Sequence, residues 1–346
     1  MKEDIRSLTR GELSERIRLF GEKSFRADQI FDWLHKKSAE DFDTMLNVPK
    51  ALRKALSTEL MIYPVSKELV QISKKDGTRK YLFRLYDDNL IESVFMRYEH
   101  GNSVCVSSQV GCRMGCRFCA STTEGLVRNL TAGELLGQVY EIERDTGERV
   151  GNIVIMGAGE PLDNYDNVVR FIRLLCDEKG RRLSERSITL STCGLPEGIL
   201  RLREEGLAIT LALSLHAPND EKRKRLMPIA NRYPIAEVLS ACKAYYDQTG
   251  RRLTFEYSLV RGFNDSMEDA AELSSLLKGL NCHVNLIPVN PVRENGFSPP
   301  GREEVLAFQN KLEKNHINVT IRRELGRDID GACGQLRRRV LKESKA

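Results

Sequence analysis

The feature that most constrains this chain is a regular alternation of strand-like and helix-like segments through its second two-thirds. Val104-Cys105-Val106 is followed by a helix opened by Thr131 with Glu134 three residues on, a capping box in which side chain and backbone satisfy each other. Strand signals at 153–156, 187–190, 208–213, 253–257 and 284–287 then alternate with helix signals at 164–175, 196–203, 236–246 and 267–277. Six βα units in about 210 residues imply a parallel sheet with helices outside it. Six falls short of the eight that close an ordinary (β/α) barrel, which predicts an α/β fold built as a partial (β/α)6 TIM-like barrel. Its reactive groups should gather at the C-terminal ends of the strands.

The segments before the barrel read differently. Ile30, Phe31, Trp33 and Leu34 give one apolar helix face, and Asn47-Val48-Pro49 resembles a helix start, so 1–70 is expected to be a small helical accessory domain. Short β runs at 70–72, 81–85 and 91–95, separated by Lys75-Asp76-Gly77 and Asp87-Asp88-Asn89, predict a hairpin or meander over 71–98 leading into a main domain over 99–346. No segment approaches the roughly 18 apolar residues of a membrane span. The N-terminus, Met1-Lys2-Glu3-Asp4-Ile5-Arg6, reads as neither a signal nor a transit peptide, so the expectation is a cytoplasmic protein without membrane partners.

Nine cysteines, an odd number, suit a reducing compartment better than a disulfide framework. Cys176, Cys193, Cys242 and Cys282 lie mostly in apolar contexts, whereas Cys105, Cys112, Cys116, Cys119 and Cys333 lie among glycines and polar residues. Gly111-Cys112-Arg113-Met114-Gly115-Cys116-Arg117-Phe118-Cys119 has Cys-x3-Cys-x2-Cys spacing directly after the first barrel strand. Three thiolates in one loop are soft ligands suited to a four-iron cube, and they leave one iron open for another ligand. Zinc would want a fourth Cys or His within easy reach. This spacing resembles the signature of the radical S-adenosylmethionine superfamily, which implies a [4Fe-4S] cluster on Cys112, Cys116 and Cys119, with S-adenosylmethionine on the open iron.

The same resemblance assigns an adenosylmethionine pocket. Met156-Gly157-Ala158-Gly159-Glu160-Pro161-Leu162 is similar to the segment that grips the methionine amino group, which points to Gly159 and Glu160. Ser191, Ser214, Leu215, His216 and Asn290 end later strands, where they could reach ribose, sulfonium and adenine. Read from the residues alone each fits a turn as well, and His216 equally fits a strand-end histidine capping Ala217-Pro218-Asn219-Asp220.

Over essentially its full length the sequence resembles the RlmN/Cfr family of radical S-adenosylmethionine RNA methyltransferases. The matching segments include Gln29-Ile30-Phe31-Asp32-Trp33, Arg128-Asn129-Leu130-Thr131, Ser214-Leu215-His216-Ala217-Pro218-Asn219-Asp220, Thr254-Phe255-Glu256-Tyr257 and Ala332-Cys333-Gly334-Gln335-Leu336. The resemblance implies two adenosylmethionines per turnover. Cys333 takes a methyl from the first by displacement. A radical derived from the second activates that S-methyl, which adds to an electron-poor carbon of adenine. Loss of the ring proton and attack of Cys105 on the sulfur of Cys333 then release the product and leave a disulfide for an external reductant. Glu92 occupies the position of the family's proposed proton acceptor, although family mechanisms also give Cys105 a part in the deprotonation; from sequence alone Glu92 fits a solvated strand-edge glutamate nearly as well.

The implied substrate is RNA: an adenosine in the peptidyl-transferase centre of 23S rRNA and the adenosine just 3′ of certain tRNA anticodons, methylated at carbon 2. An adenine in folded RNA must leave its stack to react. A net charge of +5 is mild, but Lys222-Arg223-Lys224-Arg225, Arg322-Arg323 and Arg337-Arg338-Arg339 form basic runs that read as solvated faces open to phosphate. A flavodoxin-type electron donor and a monomeric state are further expectations. Val289, Ala158 and Cys193 depart from the usual carbon-2 pattern, which keeps carbon-8 methylation as an alternative. An RNA-binding module with a structural metal site, or a radical enzyme that uses the cluster alone, are readings in which Cys333 has no task.

Overall fold

The computed structural model of the protein describes residues 2–99, 101–289, 296–323, 325–326, 328–329 and 334–343. The chain opens with β1 (Glu3–Asp4), then α1 (Arg10–Leu19), α2 (Phe25–His35) and α3 (Lys50–Glu59), and returns as β2 (Leu60–Met61) parallel to β1. A capping box of Thr9 and Glu12 starts α1, and Pro49 stands immediately before α3. Ile30, Phe31 and Leu34 of α2 are buried, and His35 reaches Tyr140 of the first barrel helix, Nδ1 to hydroxyl, at 3.0 Å. These helices share one continuous apolar core with the barrel.

Three antiparallel strands follow: β3 (Val65–Ile72), β4 (Arg79–Leu85) and β5 (Leu90–Tyr98). They extend the main sheet directly, and β3 begins at Val65, ahead of the expected boundary near residue 70. β6 (Gly101–Cys105) pairs antiparallel with β5 and starts the parallel part of the sheet. A small hairpin, β7 (Gln109–Gly111) with β8 (Leu126–Asn129), encloses the three-cysteine loop.

From there strands and helices alternate: α4 (Ala132–Thr146), β9 (Asn152–Ile155), α5 (Tyr165–Cys176), β10 (Ile188–Thr192), α6 (Pro196–Glu204), β11 (Thr210–Ser214), α7 (Asp220–Leu226), α8 (Ile235–Thr249), β12 (Leu253–Leu259), α9 (Met267–Leu276) and β13 (Cys282–Pro288). All six expected parallel strands are present, and α4 is opened by the Thr131–Glu134 capping box. The sequence reading missed α7, α10 (Arg302–Lys314), the helix at Gln335–Glu343 and the short β14 (Asn318–Ile321), a seventh parallel strand. The sheet runs β14-β13-β12-β11-β10-β9-β6-β5-β4-β3, so β14 and β3 form its two ends and the barrel stays open. The last element, α11 (Gln335–Glu343), packs back against β5. Among the described residues no helix is long and apolar enough to cross a membrane.

Candidate active site

The three-cysteine loop is fastened from several sides. Cys112 N donates to Gly125 O at 2.9 Å, Cys119 N to Cys116 O at 3.1 Å, and Thr122 Oγ1 to the carbonyls of Cys116 and Cys119 at 3.2 and 3.0 Å. Arg117 N donates to Leu226 O at 2.9 Å, and the Arg113 guanidinium pairs with Asp163. Cys112 is buried and its neighbours half-buried. Burial pushes the Cys112 thiol up to about 12 and raises Cys116 as well. Such thiols resist becoming bare thiolates, and a bound metal supplies what is missing because coordination deprotonates them.

Arg223 adds to the fit. Its side chain is wholly buried and donates to the carbonyls of Cys193 at 2.6 Å, Leu215 at 3.2 Å and Ser214 at 3.4 Å; Nη1 has no hydrogen-bond partner. Its positive charge acts on Cys116 and Cys193, where an electron-rich iron–sulfur group would offset its desolvation. Three soft thiols beside a buried guanidinium suit a four-iron cluster.

This placement also corrects the reading of Lys222-Arg223-Lys224-Arg225 as one solvated face. The helical period of α7 turns Arg223 inward, Lys222 pairs with Asp269 at 2.5 Å, and only Lys224 and Arg225 are exposed, Arg225 over the Phe263 ring at 4.7 Å. In the run Arg337-Arg338-Arg339 the first two are half-buried and Arg339 is exposed, with Nη2 of Arg337 3.1 Å from Glu124.

Next to the cysteine loop lies the Gly-rich turn. Gly159 has φ +107°, and a Cβ there would stand 2.6 Å from Gln109 Cβ, so only glycine lets the turn approach β7. Gln109 holds the turn by accepting from Glu160 N at 2.9 Å, and its Nε2 donates to Asn129 and Asp163 at 2.8 and 2.9 Å. Glu160 is buried; Oε2 accepts from Cys193 N at 2.7 Å and Oε1 from Leu162 N at 3.0 Å. Burial raises its proton affinity, an effect that an approaching ammonium would reverse.

The strand ends bring the remaining described candidates together. Ser191 on β10 and Ser214 on β11 lie with hydroxyls 3.3 Å apart, and Leu215 beyond them is buried. His216 has φ +57°, accepts from Ser258 N at Nδ1 (2.9 Å) and sets its ring edge-on to Phe118 at 4.7 Å. Burial lowers its pKa to about 3, so the ring is neutral. It therefore ties β12 to the cluster loop, because Phe118 lies between Cys116 and Cys119; beyond it, Asn219 caps the start of α7. Asn290 lies outside the described residues.

The last group surrounds the C-terminal helix. Glu92, on β5 between β4 and β6, is buried, which sets aside the strand-edge alternative. Its Oε2 accepts from Gly334 N and its Oε1 from Arg337 N, both at 2.6 Å, and Lys80 Nζ on β4 stands 2.9 Å from Oε2. A cavity of about 240 Å³ opens here, lined by Glu92, Ser121, Ala158, Gly334 and Arg337 among others. Cys105, at the end of β6, is buried with Val94, Met96, Val154, Met156 and Leu325. Cys333 lies outside the described residues, but Gly334 and Leu325 on either side of it in sequence bear on the two groups just described.

Sequence reasoning missed Lys80, Gln109, Asp163 and Arg223. It also missed Glu256, a buried barrel carboxylate whose Oε1 accepts from Asn285 at 2.8 Å while Oε2 has no partner. The one available signal was charge inside an apolar strand, as in Arg79-Lys80-Tyr81-Leu82-Phe83 and Thr254-Phe255-Glu256-Tyr257.

Residues 106–274 match the model of the radical SAM superfamily, and residues 3–62 match that of the ribosomal RNA large subunit methyltransferase N-terminal domain. The chain is 58% identical over 340 residues to the "Probable dual-specificity RNA methyltransferase RlmN" of Lachnospira eligens, covering 98% of this chain and 97% of that one. The protein of the same name from Clostridium perfringens is 53% identical over 339 residues, 98% of each chain. Among solved structures, a radical SAM methyltransferase from Sphaerobacter thermophilus superposes with a TM-score of 0.92 at 45% identity, over 96% of this chain and 98% of that one.

Proposed function

The chain belongs to the radical SAM superfamily and, within it, to the RlmN family of RNA methyltransferases, and from that premise we propose that it methylates carbon 2 of adenosine in both 23S rRNA and tRNA. The observation that carries this reading is the gathering of the segment just after Cys119 (Ala120, Ser121, Thr123, Glu124), Ala158 of the Gly-rich turn, Glu92 and the start of α11 around one cavity. A cluster used alone would need no such docking of the C-terminal helix.

Cys112, Cys116 and Cys119 hold the cluster, while Gly159, Glu160, Ser191, Ser214, Leu215, His216 and Asn290 form the adenosylmethionine pocket. When bound, the cluster supplies the electron that cleaves adenosylmethionine to a carbon radical. The chain's own residues do the rest. Cys333 accepts a methyl by displacement from one adenosylmethionine, and a second is consumed in activating it. Glu92 is the candidate acceptor of the ring proton, a role that requires one of its present hydrogen bonds to yield. The activated S-methyl carbon, one hydrogen atom poorer, bonds to the ring carbon; once the ring proton has left and the odd electron has passed back to the donor chain that supplied it, Cys105 as thiolate attacks the sulfur of Cys333, the sulfur–carbon bond breaks with its electron pair on carbon, that carbon takes up a proton to become the methyl, and a Cys105–Cys333 disulfide forms. Its two-electron reduction by an external donor, such as a flavodoxin-type reductant system, restores both thiols in a monomeric, cytoplasmic enzyme.

The test is mass spectrometry of rRNA and tRNA from a host lacking its own enzymes and expressing this chain or its Cys333→Ala variant. The expected result is 2-methyladenosine with the native protein and none with the variant. 8-Methyladenosine would move the chain to the carbon-8 reaction, and no methyladenosine at all would overturn the reading.

A further inference from the structure

We propose that Lys80 and Glu92 form a latch that docks the amino end of α11 and thereby positions Cys333 to accept its methyl. The inference rests on the S-methylcysteine reading above. In the β4–β5 register Leu82 faces Glu92 and Lys80 faces Val94, so Lys80 and Glu92 are diagonal neighbours on one face. Lys80 has no exposed side-chain surface, Glu92 has 6%, and their charged atoms stand 2.9 Å apart. Desolvating such a pair is costly, and apolar residues of similar size would serve stability as well.

What an apolar pair could not do is accept hydrogen bonds. The first turn of a helix leaves its backbone N–H groups without partners inside the helix. Glu92 satisfies two of these donors around the start of α11, Gly334 N and Arg337 N, at 2.6 Å each, and sets a negative charge at the positive end of the helix dipole. Three further contacts fix the same turn. Gly334 has φ +79°, and a Cβ there would stand 2.7 Å from Ser121 N, two residues after Cys119. Leu336 is wholly buried against Leu82 and Leu90 of the meander, and Arg337 pairs with Glu124 at 3.1 Å. Gly334, the residue after Cys333 in sequence, is therefore tethered to the β-meander on one side and to the cluster loop on the other. Lys80 and Glu92 are in this sense positioning residues, acting before any ring proton is removed.

The experiment uses the full chain, reconstituted anaerobically with iron and sulfide, and compares Lys80→Met, Lys80→Arg and Glu92→Gln with the native protein. Hydrogen exchange over 334–343 and the initial rate of methyl addition to Cys333 from adenosylmethionine, read by mass spectrometry, are measured together. Lys80→Met and Glu92→Gln should each speed exchange at the start of α11 and slow methyl loading at least tenfold, with exchange in β9 to β12 unchanged. Lys80→Arg should recover most of both, and in RNA methylation kcat should fall while KM for RNA holds. Native loading rates or native exchange at α11 in Glu92→Gln and Lys80→Met would overturn the latch and leave Glu92 as a base alone. If Lys80→Met loosens the whole chain, the double variant Lys80→Met, Glu92→Leu decides. Selective loosening of α11 in that variant supports the latch, and a tight α11 overturns it. Absence of any methyl on Cys333 in the native protein would defeat the S-methylcysteine reading instead, while the exchange data would still judge the docking.

Discussion

The two regions that carry reactive sulfur are held in opposite ways. The loop of Cys112, Cys116 and Cys119 takes most of its backbone ties from residues a few positions away, such as Gly125 and Thr122. The turn into α11 takes its ties from Glu92, 242 and 245 positions away. The cysteine loop makes most of its own backbone ties, with Arg117 N on Leu226 O and Arg113 on Asp163 as longer-range additions, whereas the hydrogen bonds of the turn into α11 exist only once the meander has formed. On the mechanism proposed above, the difference separates a site that holds a rigid inorganic group from one whose thiol changes partners through a catalytic cycle.

The largest effects should come from breaking each region at its sulfur. Cys119→Ala is expected to abolish iron content, brown colour and RNA methylation together. Cys105→Ala should keep its iron and halt with RNA covalently attached to protein, visible as a denaturation-resistant band. Native product release by Cys105→Ala would erase the division of labour.

A smaller effect should follow from the apolar anchor of the distant turn. Leu336→Ala removes a wholly buried side chain, a loss of about 2–5 kcal/mol in well-packed cores. Because Leu336 belongs to a small apolar cluster separate from the main core, we expect that loss as faster hydrogen exchange in α11 with little change in global melting temperature. A cooperative fall in melting temperature instead would show that turn and barrel unfold as one.

The same contrast between local and distant ties governs how much could be read from the sequence. The cysteine spacing, the Thr131–Glu134 capping box and six strands were legible because each is a short-range pattern. β14 was not, since Asn318-Val319-Thr320-Ile321 is too short to show a period, and its pairing with β13 carries the signal. Nor was the Lys80–Glu92 pair, because the register of two strands makes it and the segment it holds lies at the far end of the chain. Arg223 was misread for a related reason. Four basic residues in a row look like one surface, but a helix turns one of them inward.

His35 provides a reference that belongs to neither sulfur region. Burial and the nearby Arg6 charge lower its pKa from 6.5 to about 3. The unfolded chain therefore binds the proton first, and stability present above about pH 6.5 is lost as pH falls toward the folded value. Between pH 6.5 and 5 the loss is about 2 kcal/mol. Thermal melts of the metal-free protein should show this slope, and His35→Gln should flatten it. The smallest effect is expected from Arg113→Ala, which breaks a pair whose arginine is 62% exposed and should cost about 0–1 kcal/mol. A large loss of iron in that variant would mean that the cysteine loop leans on Asp163 far more than its short-range ties suggest.

That β14 and β3 never meet has a consequence of its own. A sealed ring of strands accepts a guest only through its rim, and for a polymer that would mean presenting a free end or a hairpin tip narrow enough to enter. A sheet left unsealed has a flank, and a nucleotide in the middle of a long folded strand can be laid in sideways with the chain on both sides remaining outside. The missing closure thus turns a vessel for small molecules into a bench on which one unit of a very large molecule can be worked without cutting or threading it.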